Sequence, residues 1–467
     1  MRQPKKVQTA EDRNYIFESV PVPKAILALA GPTVLSQIIT LIYNLVDTFF
    51  VGQLGDPYQV AAVSVSLPLF FIFFAVSNLF GTGGGSLIAR MLGAKRPDEA
   101  RKVCAFSFYA GIFFAVILCL VITIFRSPLL HLLGASSETY KYSFRYTLWV
   151  SIIGGIPTAC SIFLAAFFRS EGRSKQSSFG MMIGGVANII LDPIFIFALK
   201  LNVEGAAIAT MISTVISVIY FAVLYVRVRH DTVISFNPKY FTLEKDIVVP
   251  VFSVGLPAAF ATVLGNVANA IINKLTAGYG DIQLAAMGIV KKIDMLPMHI
   301  CMGLGTGILP IMAYNYAAKN YDRMKKTLRY AEMFGVAFAL FCIAVFEIFA
   351  PQIMRIFIAE ERTVAYGEKF LRVACLCTPL MTFNFLMNSF FQATGHGTRS
   401  LLMTCCRQGI INIPLLFVMR HFFALDGIVW TQTISDALVL GLCLILYTGI
   451  IRKLEKASAP SGAEGLQ

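Results

Sequence analysis

LSQIITLIYNLVDTFFVGQLG, residues 35–55, decides how this chain is read. It is almost wholly apolar, it runs without the alternation of a half-buried strand, and it carries one carboxylate, Asp47. A helix needs about 20 apolar residues to cross a hydrocarbon layer ~30 Å thick. Runs of that kind recur from one end of the 467 residues to the other. The chain is 57% hydrophobic and 14% charged, where an ordinary soluble domain is about a quarter charged. Twelve spans are expected, with cores at 25–50, 60–88, 103–125, 140–168, 176–198, 205–226, 248–277, 282–314, 328–349, 365–392, 400–420 and 427–450. The expected fold is therefore an all-α polytopic membrane protein of twelve transmembrane helices. A barrel is excluded, because its strands alternate and these runs do not.

A net charge of +13 would suit a nucleic-acid partner, but the charges follow the loops. Lys24, Arg90 to Lys102, Arg169 to Lys175, Arg227 to Lys245, Lys319 to Arg329, Arg399, Arg407 and Arg452 to Lys456 all fall on one side of twelve alternating spans. That bias places both termini in the cytoplasm and excludes a nucleic-acid role. MRQPKKVQTAEDRNY, residues 1–15, is polar and basic and reads without a cleaved leader. The ten cysteines lie mostly within spans and form no zinc set. The tail KASAPSGAEGLQ reads as disordered.

The chain repeats itself. GTG at 81–83 recurs at 305–307, AKRPDEARK at 94–102 as AKNYDRMKK at 318–326, FFRSEG at 167–172 as FFQATG at 390–395, and EGAAIATMIS at 204–213 as DGIVWTQTIS at 426–435. Ordered matches at near-constant spacing mark a duplication. Six spans per half give both halves the same orientation, so they are expected as two pseudo-twofold-related six-helix lobes around a central cavity. The organisation read from this is a cytoplasmic N-terminal segment (1–23), a first lobe (24–228), a cytoplasmic linker (229–246), a second lobe (247–452) and a cytoplasmic tail (453–467). GTGGGS at 81–86 superficially suggests a phosphate cradle, yet no Lys-Ser/Thr follows and it lies within a span. Close helix packing through small residues is the expected role.

A charge at the bilayer centre costs ~2.5–3.5 kcal/mol, so an acid there needs a partner, a cavity or a proton. Either Asp47 is a neutral acid gluing helices, or it titrates or binds an ion. Asp192, in ANIILDPIFIF, is a second isolated acid. At ~1.5 Å rise per residue, Asp47 lies roughly 9 Å below the outer turn at Gln53, Asp192 roughly 12 Å from Lys200, and Thr210 roughly 9 Å from Glu204. Asn188 is one turn before Asp192 on the same face. Pro193 cannot donate to the Ile189 carbonyl, which frees another oxygen. An oxygen-rich site of this type suits a hard cation such as Na+, or a stored proton, since two nearby acids cannot both ionise cheaply.

YNLVD on the first span, ANIILDP on the fifth and GAAIAT on the sixth resemble the signature of the multidrug and toxic compound extrusion (MATE) family, in its prokaryotic DinF-like branch with the MepA-like exporters. The resemblance covers about residues 24–452. It implies a cation and proton site at Asp47, Asn188, Asp192 and Thr210, with Tyr43 beside it and Na+ as a candidate metal ion there. It also implies a secondary exporter of amphipathic, often cationic drugs in exchange for inward H+ or Na+ by alternating access, with a role in antibiotic resistance. The expected place is a prokaryotic cell membrane and the expected state a monomer. No enzymatic activity and no cofactor beyond the coupling ion are expected, and no ATP loop is present to supply the energy.

The second half departs from the first: Asp47 aligns with Ile271, and Asp192 with an acid-free NIP segment. VKKIDMLP instead places Lys291, Lys292 and Asp294 on the eighth span. Lys291 and Asp294, three apart, are expected to pair, or else to serve substrate binding or gating. Lys274 and Asp436 are single charges with no assigned role. A cavity made basic by Lys274, Lys291 and Lys292 would suit the alternative function, a flippase or exporter of lipid-linked or anionic envelope precursors. The 39 Phe and 17 Met could line an adaptable apolar wall. An intramembrane enzyme would need a nucleophile–base pair or a metal set, and the scattered His131, His230, His299, His396 and His421 supply neither.

Overall fold

The computed structural model describes residues 15–458, and all regular elements within them are helical. The first fourteen residues, which read without a cleaved leader, and most of the tail, which reads as disordered, lie outside the described residues. We number the spans α1 (Val22–Gly52), α2 (Pro57–Gly93), α3 (Pro97–Leu132), α4 (Ser137–Ile153 and Gly155–Ser170), α5 (Ser174–Ala198) and α6 (Asn202–Val228). The second half holds α7 (Lys245–Ala277), α8 (Asp281–Ala317), α9 (Tyr321–Phe357), α10 (Glu361–Cys375 and Thr378–Ala393), α11 (397–423) and α12 (425–458). Prolines sit at the starts of α1, α2 and α3, where a missing N–H costs nothing. Asp56 caps α2 by accepting from the Tyr58 N–H at 2.9 Å.

α11 and α12 form one continuous helical run broken at Ala424, whose φ of 51° reverses the chain. Gly427 then lies directly on the Met419 carbonyl, where a Cβ would sit 2.0 Å away. Side-chain pairs confirm the antiparallel register: Asn412 meets Gln432, Arg407 meets Asp436, and Arg399 reaches the Leu446 carbonyl. Twelve spans result, as the sequence leads one to expect.

The duplication extends to the irregularities. α4 bends by 43° and α10 by 44°. Both fifth spans contain a π-helical turn, Ile194–Ala198 in α5 and Cys406–Ile410 in α11. α2 and α8 end in the same motif, with a lysine in the left-handed region (Lys95, φ 60°; Lys319, φ 59°). The N–H of the next residue closes a six-residue loop back onto the helix, at 2.9 Å from Arg96 and 2.8 Å from Asn320.

The two halves touch through glycines in swapped, equivalent pairs. A Cβ on Gly83 of α2 would lie 2.3 Å from the Val251 carbonyl of α7, and one on Gly307 of α8 would lie 2.4 Å from Ala30 of α1. GTGGGS is thus a packing surface. Lipid supplies no hydrophobic drive between helices, so close backbone approach through small residues helps to hold them together. The core follows the same exchange. Ala25, Ile26, Leu29 and Ala30 of α1 pack among the second half's buried residues, while Ile247 and Val251 of α7 pack among those of the first. Side-chain hydrogen bonds between the spans of the two halves run from mid-depth (Asn78 to Thr262, 3.2 Å) to the end that bears the termini (Ser86 to the Gln392 carbonyl, 2.6 Å). There, Glu18 accepts from both Lys95 and Tyr314, and Arg323 donates to the Phe17 and Val20 carbonyls. Toward the other end each half has its own separate core.

Candidate functional site

The sequence-predicted acids converge in the first half, in its end away from the termini. Glycines set the spacing. Gly184 of α5 lies against Ser217 of α6, and a Cβ at Gly185 would come within 3.1 Å of the Tyr43 ring of α1. α5 is thereby held close to both neighbours. Asn188 and Asp192, one turn apart, are both buried and share a face of α5. The Asn188 amide donates to Asp192 Oδ1 at 3.2 Å and points at the Thr210 hydroxyl of α6 at 3.4 Å. Asp192 stands just before Pro193, where α5 passes into its π turn.

Asp47 of α1 is within electrostatic reach of Asp192 and of Tyr43. Three oxygens here are buried without a hydrogen-bond donor: Asp47 Oδ1, Asp192 Oδ2 and Asn188 Oδ1. Unpaired buried acceptors cost of order 1–3 kcal/mol each, more when charged. A proton on one carboxyl or a small hard cation among the three relieves that cost. The donor set, all oxygen and without His or Cys, fits Na+ rather than a transition metal. Tyr146 of α4, unremarked in the sequence, completes the surroundings. It is 5% exposed and within reach of Asp47 and Asp192. Its signal is weak, because a single Tyr near a span centre is indistinguishable from packing.

α1 also carries exposed polar side chains at helical spacing. Asn44 and Thr48 turn back to the carbonyls of Thr40 and Asn44, each at 2.8 Å. α7 has the matching pair Asn266 and Asn269, bonded to the carbonyls of Thr262 and Gly265. Polar groups exposed within spans belong beside water, not lipid.

The second half differs from expectation in two places. Lys291 does not pair with Asp294: its ammonium donates instead to Asn273 Oδ1 of α7 at 2.8 Å. Three-residue spacing permits such a pair, but α7 offers a nearer acceptor. Lys292 is exposed and Asp294 half-buried. Arg407, counted with the cytoplasmic charges by its position in the sequence, lies in the π turn of α11. Its guanidinium donates to both oxygens of fully buried Asp436 at 2.7 and 3.2 Å and stacks over Phe385. Cys377 donates to Asp436 as well, at 3.0 Å. Much of the phenylalanine is packing: Phe73, Phe80, Phe163, Phe167 and Phe221 are buried in the first half's core.

The MatE family model matches the chain twice, over residues 32–194 and 257–418, once in each half. The multidrug export protein MepA of Staphylococcus saprophyticus is 34% identical over 438 residues, covering 94% of this chain and 96% of that protein. MepA of Staphylococcus aureus is equally similar, 34% over 439 residues with the same coverage. Among solved structures, a MOP superfamily transporter from Pyrococcus furiosus superimposes with a TM-score of 0.86 at 24% identity, covering 97% of this chain and 100% of that one; this likeness bears on the fold.

Proposed function

The chain belongs to the MatE family, and from that premise we propose that it is a multidrug exporter of the cell membrane, driven by inward movement of H+ or Na+. The observation that carries this reading is the set of three donorless oxygens, Asp47 Oδ1, Asp192 Oδ2 and Asn188 Oδ1, brought together from α1 and α5. That the two staphylococcal relatives are multidrug export proteins supports drugs as the cargo; the proposal takes these to be amphipathic and often cationic.

In this reading, residues 24–228 and 247–452 rock about the linker 229–246, both termini are cytoplasmic, and the conformation described here is closed on the cytoplasmic side. With the site empty, two carboxylates face each other at a repulsive cost. An entering proton or Na+ favours the packing of α1, α5 and α6 that holds it, and release favours another. The π turn after Pro193 gives α5 a place to bend. Drug and ion are then linked because each prefers a different packing. The energy is adequate: one charge falling through 100 mV yields ~2.3 kcal/mol, against ~1.4 kcal/mol for a tenfold export gradient. A one-for-one exchange of a proton for a monovalent drug gains nothing from voltage and draws on the concentration gradient alone.

The test is drug transport by the purified chain in proteoliposomes with an imposed H+ or Na+ gradient. Drug flux that follows one of the two gradients, and ignores ATP, is expected. Flux that ignores both ions refutes the coupling.

A further inference from the structure

A cavity of about 400 Å³ opens on the outer flank of the second half, between α9, α10 and α12, at the end that bears the termini. Lys326 and Arg329, from the first turns of α9, stand at its rim; both are exposed and have no ion-pair partner among the described residues. Lys325 beside them is already tied to Glu455 at 2.8 Å. The floor is apolar, from Phe383 and Met387 of α10 and Leu444 of α12. Further along α9, Met333 and Phe334 are 58% and 47% exposed, which marks the flank as lipid-facing. Arg329 lies eight residues into α9, roughly 12 Å along it, where the charged part of the helix gives way to the apolar part.

We propose that this cavity binds an anionic glycerophospholipid, its phosphate between Lys326 and Arg329 and an acyl chain on the Phe383, Met387 and Leu444 floor. Two unpaired cations above an apolar trough at a helix end match a lipid that is charged at one end and apolar at the other. A soluble anion would use the rim and leave the trough empty; a zwitterionic lipid brings its own ammonium, which offsets the attraction of its phosphate to Lys326 and Arg329. Glu332, one turn below Arg329, also lines the cavity and keeps one carboxylate oxygen buried without a donor.

The experiment is lipid binding to the purified full-length chain in detergent, read by native mass spectrometry with phosphatidylglycerol, phosphatidylcholine and glycerol 3-phosphate. Phosphatidylglycerol is expected to be retained at least about tenfold more tightly than phosphatidylcholine, and glycerol 3-phosphate not to displace it. Lys326→Gln with Arg329→Gln should weaken phosphatidylglycerol roughly 30-fold and phosphatidylcholine much less. Both substitutions are at exposed positions, and Leu444→Trp, at a lining position that is 47% exposed, fills the trough and gives an independent loss without touching a charge. Equal binding of the two lipids, full displacement by glycerol 3-phosphate, or wild-type affinity in the double variant would each overturn the proposal.

Discussion

The two halves share a plan but put opposite chemistries on the same pair of helices. On α5 and α6, Asn188, Asp192 and Thr210 form a loose set whose hydrogen bonds are 3.2 and 3.4 Å long, with three oxygens nearby left without donors. On α11 and α12, Arg407 grips Asp436 through two hydrogen bonds, and Asn412 meets Gln432 at 2.9 Å. The second half carries its cation covalently, as a guanidinium. Under the proposed function, the first borrows one. A fixed ion pair cannot be loaded or emptied, so in the proposed reading the exchange is assigned to the first half and the second half's pair is structural.

The largest expected effect is at the open site. Asp192→Asn keeps the size of the side chain and removes its charge. Expressed at the wild-type level in a drug-sensitive host, it should lower resistance to that of the empty vector while inserting normally. Retained resistance would remove Asp192 from the account.

Next comes the sealed site, where the loss should be of stability. Arg407→Met leaves Asp436 buried and unpaired, which costs about 3–5 kcal/mol. The unfolding temperature in detergent should fall clearly, and Asp436→Leu added to it should restore much of the loss. If instead Arg407→Met were as stable as wild type yet inactive, the second half would be part of the exchange.

A smaller effect is expected at Asp294, which is half-buried and holds no assigned ion. Asp294→Asn should reduce drug flux less than Asp47→Asn, measured in the same vesicles. The reverse order would move coupling into the second half.

The smallest effect concerns the contact where the halves meet beside the termini. Lys95 and Tyr314 hydrogen-bond Glu18 and hold its carboxyl below the usual carboxylate range. A depressed carboxylate contributes above its unfolded pKa and loses that contribution as pH falls through the folded value, so the contact should be intact at neutral pH and fade in acid. Because the Lys95 and Glu18 side chains are both exposed, Glu18→Gln should cost no more than about 1 kcal/mol. A larger drop in the unfolding temperature at neutral pH would show the contact to be a main lock of the closed end.

Twelve spans, the duplication and the shared face of Asn188 and Asp192 are legible in the sequence because each depends on local rules, whereas the grouping of these two with Asp47 and Thr210 comes from matched depths and the family resemblance. Apolar run length gives the span, four-residue spacing gives a shared face, and repeated motifs give the symmetry. What escaped depends on depth and on partners from distant segments. Arg407 reads as a cytoplasmic charge because it lies in the first turns of its span, eight residues after Arg399. Its membrane position is set by Asp436, 29 residues on. Lys291 was assigned to Asp294 by spacing alone, whereas Asn273 across the neighbouring helix is the acceptor it takes. Tyr146 carries no pattern at all until α4 folds against the two acids.

The claim that the first half borrows its cation is tested most directly by drug affinity of the purified chain in detergent, measured as proton and then sodium concentration is raised. Wild type should bind drug more weakly as one of the two ions increases, and Asp47→Asn should flatten that dependence. A drug affinity indifferent to both ions, in wild type and variant alike, would contradict the account and leave Asp47 as a residue that merely holds helices together.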